Sequence, residues 1–176
     1  PFTYVATLSA LLWEGCTPVF VDIDENSLCL APEKFAELPD EAEGIMPVYP
    51  YGFPCDVEAL GSLAAERKMV VVYDAAQAFG CMYKGRHLAS YGDFATLSFH
   101  ATKLFHTVEG GAVAVRNLEA LKTLSLLRKF GHEGDEHYIL GINAKMTEVH
   151  AAMGLCLLPQ VADVIQARKE IVAVYN

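Results

Sequence analysis

Two short stretches hold residue types that could do chemistry together: Asp74-Ala75-Ala76-Gln77 and Ser98-Phe99-His100-Ala101-Thr102-Lys103. Each follows an apolar run that reads as a β-strand. Open α/β sheets bind ligands beyond the carboxyl ends of their strands. If the two strands are parallel neighbours, Asp74, Ser98 and Lys103 converge on one crevice. A lysine withdrawn from water becomes a nucleophile toward an aldehyde. A carboxylate facing the ring nitrogen of pyridoxal phosphate keeps that nitrogen protonated, so the ring can accept electrons. A serine followed by free backbone N–H groups can hold a phosphate. Taken singly, each residue is more often structural: a strand-end acid caps a turn, a loop serine is any hydroxyl, and a lysine is a solvated amine. The combination in this order carries the argument.

Five apolar runs rich in Val, Ile, Phe and Tyr must position these groups: Pro18 to Ile23, Gly44 to Tyr49, Met69 to Tyr73, Phe94 to Ser98 and Gly111 to Val115. Their continuous hydrophobicity predicts strands covered on both faces, as in a parallel sheet between helices. Helical spacing of apolar residues marks Val5 to Glu14, Val57 to Arg67 and Leu118 to Phe130, and Asp56 precedes the second as an N-cap. After a polar loop over Gly131 to His137, helical sequence runs from Thr147 to Leu158 and from Val161 to Tyr175, broken at Pro159. The alternation gives an α/β fold with a central, mostly parallel sheet flanked by helices.

The 176 residues, 53% hydrophobic and 20% charged, suit a globular domain with a sizeable core. Thirteen Lys and Arg against twenty-two Asp and Glu leave a formal charge of −9, a poor footprint for a phosphate backbone. No nucleic-acid partner is expected on that ground. No apolar stretch is read as reaching the roughly eighteen residues of a membrane span, and no basic, cleavable leader opens the chain. The expectation is a cytoplasmic protein with no membrane partner. Five scattered cysteines without a Cys-x-x-Cys pair fit reduced thiols better than a disulfide frame or a zinc site. His100, His106 and His132 lack metal-like spacing, and no metal is expected. No strand is followed by Gly-x-Gly-x-x-Gly, which argues against a dinucleotide-binding domain.

The sequence resembles the DegT-type, pyridoxal-phosphate-dependent nucleotide-sugar aminotransferases of fold type I. The resemblance rests on Thr3-Tyr4-Val5-Ala6-Thr7, Gly15 through Asp24, Pro47-Val48-Tyr49-Pro50-Tyr51-Gly52, Tyr73 through Ala78, Ser98 through Lys103 and Glu109-Gly110-Gly111-Ala112. Gly141 through Met146 and Ala151-Ala152-Met153-Gly154 extend it toward the end of the chain. It implies that Lys103 forms the Schiff base with pyridoxal 5'-phosphate and later moves the proton between substrate carbon and cofactor. Asp74 would pair with the pyridine nitrogen, Gln77 with the phenolic oxygen, and Ser98 with the phosphate. Tyr4 would stack on the cofactor ring, and Ala76 would pack its opposite face. Asn143 would reach the phosphate site of a second subunit, which implies a homodimer.

The implied reaction is transamination from an amino acid, glutamate being the expected donor, to a keto group of a nucleotide-linked deoxysugar. Related sugar dehydratases carry histidine at the lysine position, so Lys103 argues against that chemistry. A chain that keeps the fold without catalysing is the remaining alternative. The resemblance further implies an incomplete large domain over residues 1–146, with 147–176 leading toward a small domain, and low activity for these residues alone. Three positions depart from many members: Val108 for glycine, Lys145 for arginine and Gln77 for histidine. The Glu109-Gly110-Gly111 stretch reads as a tight turn into an antiparallel strand rather than as a catalytic acid.

Overall fold

A computed structural model describes residues 1–175, which divide into two compact units, 1–97 and 98–175. In the first, helix α1 (Val5–Trp13) precedes a 3-10 turn (Pro32–Glu37), strand β1 (Gly44–Ile45) and helix α2 (Val57–Glu66). Strand β2 (Val70–Asp74), the short hairpin β3 (Met82–Tyr83) and β4 (Arg86–His87), and strand β5 (Phe94–Ser98) follow. β2 pairs in parallel with β1 on one side, Val71 opposite Ile45, and with β5 on the other, Tyr73 opposite Ala95. The α/β class with parallel strands is therefore present. Asp56 caps α2 by accepting from the Ala59 N–H at 3.0 Å, as its place before the helix predicts.

The core of this unit lies where α2 packs on the strands. Leu60, Tyr49, Tyr73, Leu88, Ala75 and Ala95 are essentially inaccessible to solvent. The Tyr49 and Tyr73 rings stack with centroids 4.6 Å apart and planes 7° from parallel. Burial pushes the pKa of both phenols upward.

Two strand expectations need correction. Pro18 to Ile23 forms no strand, and its one ladder contact is an isolated bridge between Ile23 and Leu30. An extended segment becomes a strand only with a partner to satisfy its backbone. Here Val19 and Val21 instead face a cavity of about 810 Å³, which Leu8, Leu11, Ile45 and Val48 also line. Gly44 to Tyr49 is strand only at its first two residues. Pro47 has no N–H to give, although the ladder resumes at the bridge between Val48 and Asp74.

The second unit holds strand β6 (Gly111–Val115), helix α3 (Leu118–Leu127), the hairpin strands β7 (His132–Glu133) and β8 (Glu136–His137), and helices α4 (Glu148–Leu157) and α5 (Val161–Tyr175). α3 stops at Leu127 rather than Phe130, because Phe130 and Gly131 both adopt positive φ and the Gly131 N–H turns back to the Leu126 carbonyl. The expected polar loop over Gly131 to His137 contains a hairpin, turned by Gly134-Asp135 with Gly134 at φ +58.

Pro159 lies in a 3-10 turn, Leu158–Gln160, between α4 and α5, and Leu157, Leu158 and Val161 keep helical dihedrals. The break is thus shallower than expected. Glu148–Tyr175 forms one run long and apolar enough, by length and composition alone, to cross a membrane. That corrects the reading that no stretch reaches such a length; a helix that packs on protein passes the same test.

Candidate active site

The acid is the best-defined group. Asp74 ends β2 with its N–H on the Pro47 carbonyl at 2.9 Å and its own carbonyl accepting from the Tyr49 N–H at 3.0 Å. On the other side it stands in register with Thr96 of β5. The backbone thus aims the half-buried side chain before any side-chain contact is made. Its Oδ2 accepts from the Thr7 hydroxyl at 2.6 Å and its Oδ1 from the Ala76 N–H at 3.0 Å. Each carboxylate oxygen can accept roughly two hydrogen bonds, so both keep capacity for a ligand donor.

Gln77 follows in the turn after Asp74. Its Oε1 accepts from the Tyr51 N–H at 2.8 Å, which leaves the amide N–H groups as the part that can donate outward. The Pro50–Gly52 turn is shaped for this contact. Tyr51 has φ +54, and Gly52 has φ +81, where an added Cβ would lie 2.7 Å from the Cys81 sulfur and 3.1 Å from the Gln77 carbonyl. Tyr4, the residue before α1, is 74% exposed, so it is no core aromatic and its ring is open to stacking.

In the second unit, Ser98 opens a loop closed by two backbone bonds, Phe99 N–H to Gly110 carbonyl at 2.8 Å and Thr107 N–H to Phe99 carbonyl at 2.9 Å. The Ser98 Oγ accepts from the His100 N–H at 3.4 Å. Lys103 lies within this loop, half-buried, its N–H on the His100 carbonyl. Among the described residues its ammonium has no ion-pair or hydrogen-bond partner. Buried Phe105 and Thr107 pin the loop just after it, Phe105 edge-on to Phe99 with centroids 5.0 Å apart. Gly110 belongs where it is: an added Cβ would collide with the Thr107 hydroxyl and lie 2.9 Å from Met146.

Asn143 forms a bridge with Lys129, and its Oδ1 accepts from the Lys145 ammonium at 2.7 Å. That ammonium also lies 4.5 Å over the Phe130 ring. Of the departures from the DegT-type pattern, Val108 now has a physical meaning. It adopts φ +68, the left-handed region where glycine is at ease and a β-branched residue is strained.

Thr7 and the Tyr51 backbone are the site neighbours that reading the sequence missed. Thr7 meets Asp74 across sixty-seven positions of sequence, so no local pattern announces the pair. The donors and acceptors present suit pyridoxal phosphate. The first unit offers a fixed carboxylate with capacity left for a ring N–H and an amide that can donate to a phenolic oxygen; the second, taken by itself, offers a loop serine and an amine without an ion pair among the described residues.

The fold is the α/β fold of type I aminotransferases. The chain belongs to the DegT/DnrJ/EryC1/StrS aminotransferase family, which it matches over residues 1–176. It is 40% identical over 170 residues to a dTDP-4-amino-4,6-dideoxy-D-glucose transaminase of Shigella dysenteriae, covering 96% of this chain and 46% of that protein. Among solved structures, DesI in the presence of its TDP-sugar product superposes with a TM-score of 0.92 at 37% identity, over 98% of this chain and 45% of DesI. The PLP-form of Spr1654 from Streptococcus pneumoniae gives 0.91 at 29% identity, over 98% of this chain and 50% of that one. The chain spans about half the length of the curated relatives it matches.

Proposed function

We propose that this chain carries the cofactor-binding part of a pyridoxal-phosphate-dependent aminotransferase acting on nucleotide-linked keto sugars. The observation that carries the reading is the fixed carboxylate of Asp74, held by both of its main-chain groups on the Pro47–Tyr49 segment and by a donor on each oxygen. When bound, the cofactor supplies an aldehyde and an electron-accepting ring. Asp74 holds the proton on the ring nitrogen. Gln77 donates its amide N–H to the phenolic oxygen, Ser98 binds phosphate, and Tyr4 and Ala76 bound the ring faces. Lys103 would hold the cofactor at its aldehyde carbon through Nζ, and the same amine, once released, would serve as the base for the substrate's α-proton.

An amino acid, glutamate in our reading, gives the amino group, and a deoxysugar attached to a nucleotide accepts it. Asn143 serves the phosphate of a second copy in a homodimer. Residues 1–146 form the cofactor-binding part, and 147–176 lead on from it, helical over Glu148–Leu157 and Val161–Tyr175 with Val149, Leu155, Ile171 and Val174 exposed.

Incubation with pyridoxal phosphate followed by borohydride reduction, then peptide mass analysis, tests this directly. A pyridoxyl group on Lys103, absent in Lys103→Ala, is the expected result. Modification spread over other lysines, or none, would overturn the reading.

A further inference from the structure

Asp74 is not oriented by its strand alone. Thr7, on the first turn of α1, points its hydroxyl at Oδ2 from 2.6 Å, and the Thr3 hydroxyl lies 2.6 Å from that of Thr7. The direction of this chain follows from proton counting. An ionised carboxylate only accepts, so Thr7 must spend its single hydroxyl proton on Asp74. The oxygen of Thr7 can then only accept from Thr3. Thr3 therefore donates to Thr7, and Thr7 to Asp74. Each bond polarises the next, and the last is a charge-assisted bond of the stronger kind.

Thr3 lies just outside the helix, ahead of the extended residue Tyr4, and its hydroxyl reaches back to that of Thr7 in the first turn. With Ala76 N–H on the other oxygen, the carboxylate is gripped at both ends. Rotation about its terminal bonds would break one contact or the other.

We infer that Thr7 is a positioning residue for the reaction, with Thr3 behind it: it fixes the rotamer of Asp74 so that the carboxylate meets the cofactor's ring nitrogen squarely. The inference rests on the assignment of Asp74 to that nitrogen. Thr7 acts through Asp74, the group its hydroxyl donates to.

The test pairs Thr7→Val, which keeps the shape and removes the donor, with Thr7→Ser, which restores the hydroxyl. Each is titrated with pyridoxal phosphate and with 1-deazapyridoxal phosphate, whose ring carries C–H in place of the nitrogen. Losing a hydrogen bond to a charged group is worth roughly tenfold or more in binding. Thr7→Val should therefore bind pyridoxal phosphate about tenfold more weakly and lower kcat by a similar factor, with the KM of the sugar nucleotide unchanged. Thr7→Ser should return to within about threefold. The two proteins should bind the deaza analogue equally, because there is no nitrogen for a well-aimed carboxylate to reach.

Equal weakening toward both cofactors would mark Thr7 as merely structural and overturn the inference. So would a silent Thr7→Val beside an Asp74→Asn variant that fails to hold pyridoxal phosphate. If Asp74→Asn itself bound and turned over normally, the assignment of the acid would fall, and Thr7's role with it.

Discussion

The two units of the chain bury their apolar residues very differently. Among the described residues, every core hydrophobic except Phe105 belongs to the first unit, where α2 and three parallel strands enclose Leu60, Tyr49, Tyr73 and Ala95. In the second, α3 and α5 have no buried residue, and α4 buries Gly154 alone. The acid and the lysine proposed to serve one cofactor thus depend on different kinds of support. Asp74 is built into a sheet, whereas Lys103 is carried by a loop pinned through Phe105, Thr107 and two backbone bonds. Precision of the acid is a property of the core. Precision of the amine is a property of a few anchors, so damage should reach the two by separate routes.

The sharpest way to break this contrast is a matched pair of truncations. Leu60→Ala should cost about 2–5 kcal/mol, since it opens a cavity in the packed core. Ile171→Ala, on the exposed face of α5, should stay within about 0.5 kcal/mol. Urea unfolding of both variants measures the difference, and comparable losses would erase the contrast.

Alkali should strike the first unit next. Burial raises the pKa of Tyr49 and Tyr73, so the folded state holds their protons more tightly than the unfolded state does. Their contribution is complete below the ordinary tyrosine value of about 10 and is lost as pH climbs above it. Stability should fall by about 1.4 kcal/mol per pH unit for each ring there, visible as a declining melting temperature. A flat profile from pH 9 to 12 would contradict the buried stack.

The smallest expected effect belongs to the loop. Val108→Gly removes left-handed strain worth about 1–2 kcal/mol but adds freedom to the unfolded chain, for a net gain near 1 kcal/mol. Thermal melting of the variant checks the sign. A loss would mean that the Val108 side chain contributes more than its backbone costs.

Much of this architecture was legible in local signals. Strands β5 and β6 begin and end where their apolar runs do, and α1, α2 and α3 start at the expected Val5, Val57 and Leu118. Asn117 and Asp56 cap by side-chain contacts that span only a few residues. Where long-range pairing decides, the sequence is silent. The run over Pro18 to Ile23 has the composition of a strand yet finds no ladder, because strand formation depends on what lies beside it. The Thr7 and Asp74 contact is equally invisible, since neither residue's neighbours reveal that helix α1 and the tip of β2 meet. Val108 was identifiable as a departure from the resembling family, but only its φ shows why glycine would suit the position.

Both main-chain groups of Asp74 are engaged with the neighbouring segment, and the next residue, Ala75, donates to the Thr96 carbonyl on the opposite side. An amide held this way trades its proton for deuterium only when adjoining strands part, an event close to complete unfolding rather than local breathing. The acid's anchorage should therefore outlast most excursions of the surface around it, retaining its label long after helix ends and hairpin tips have exchanged.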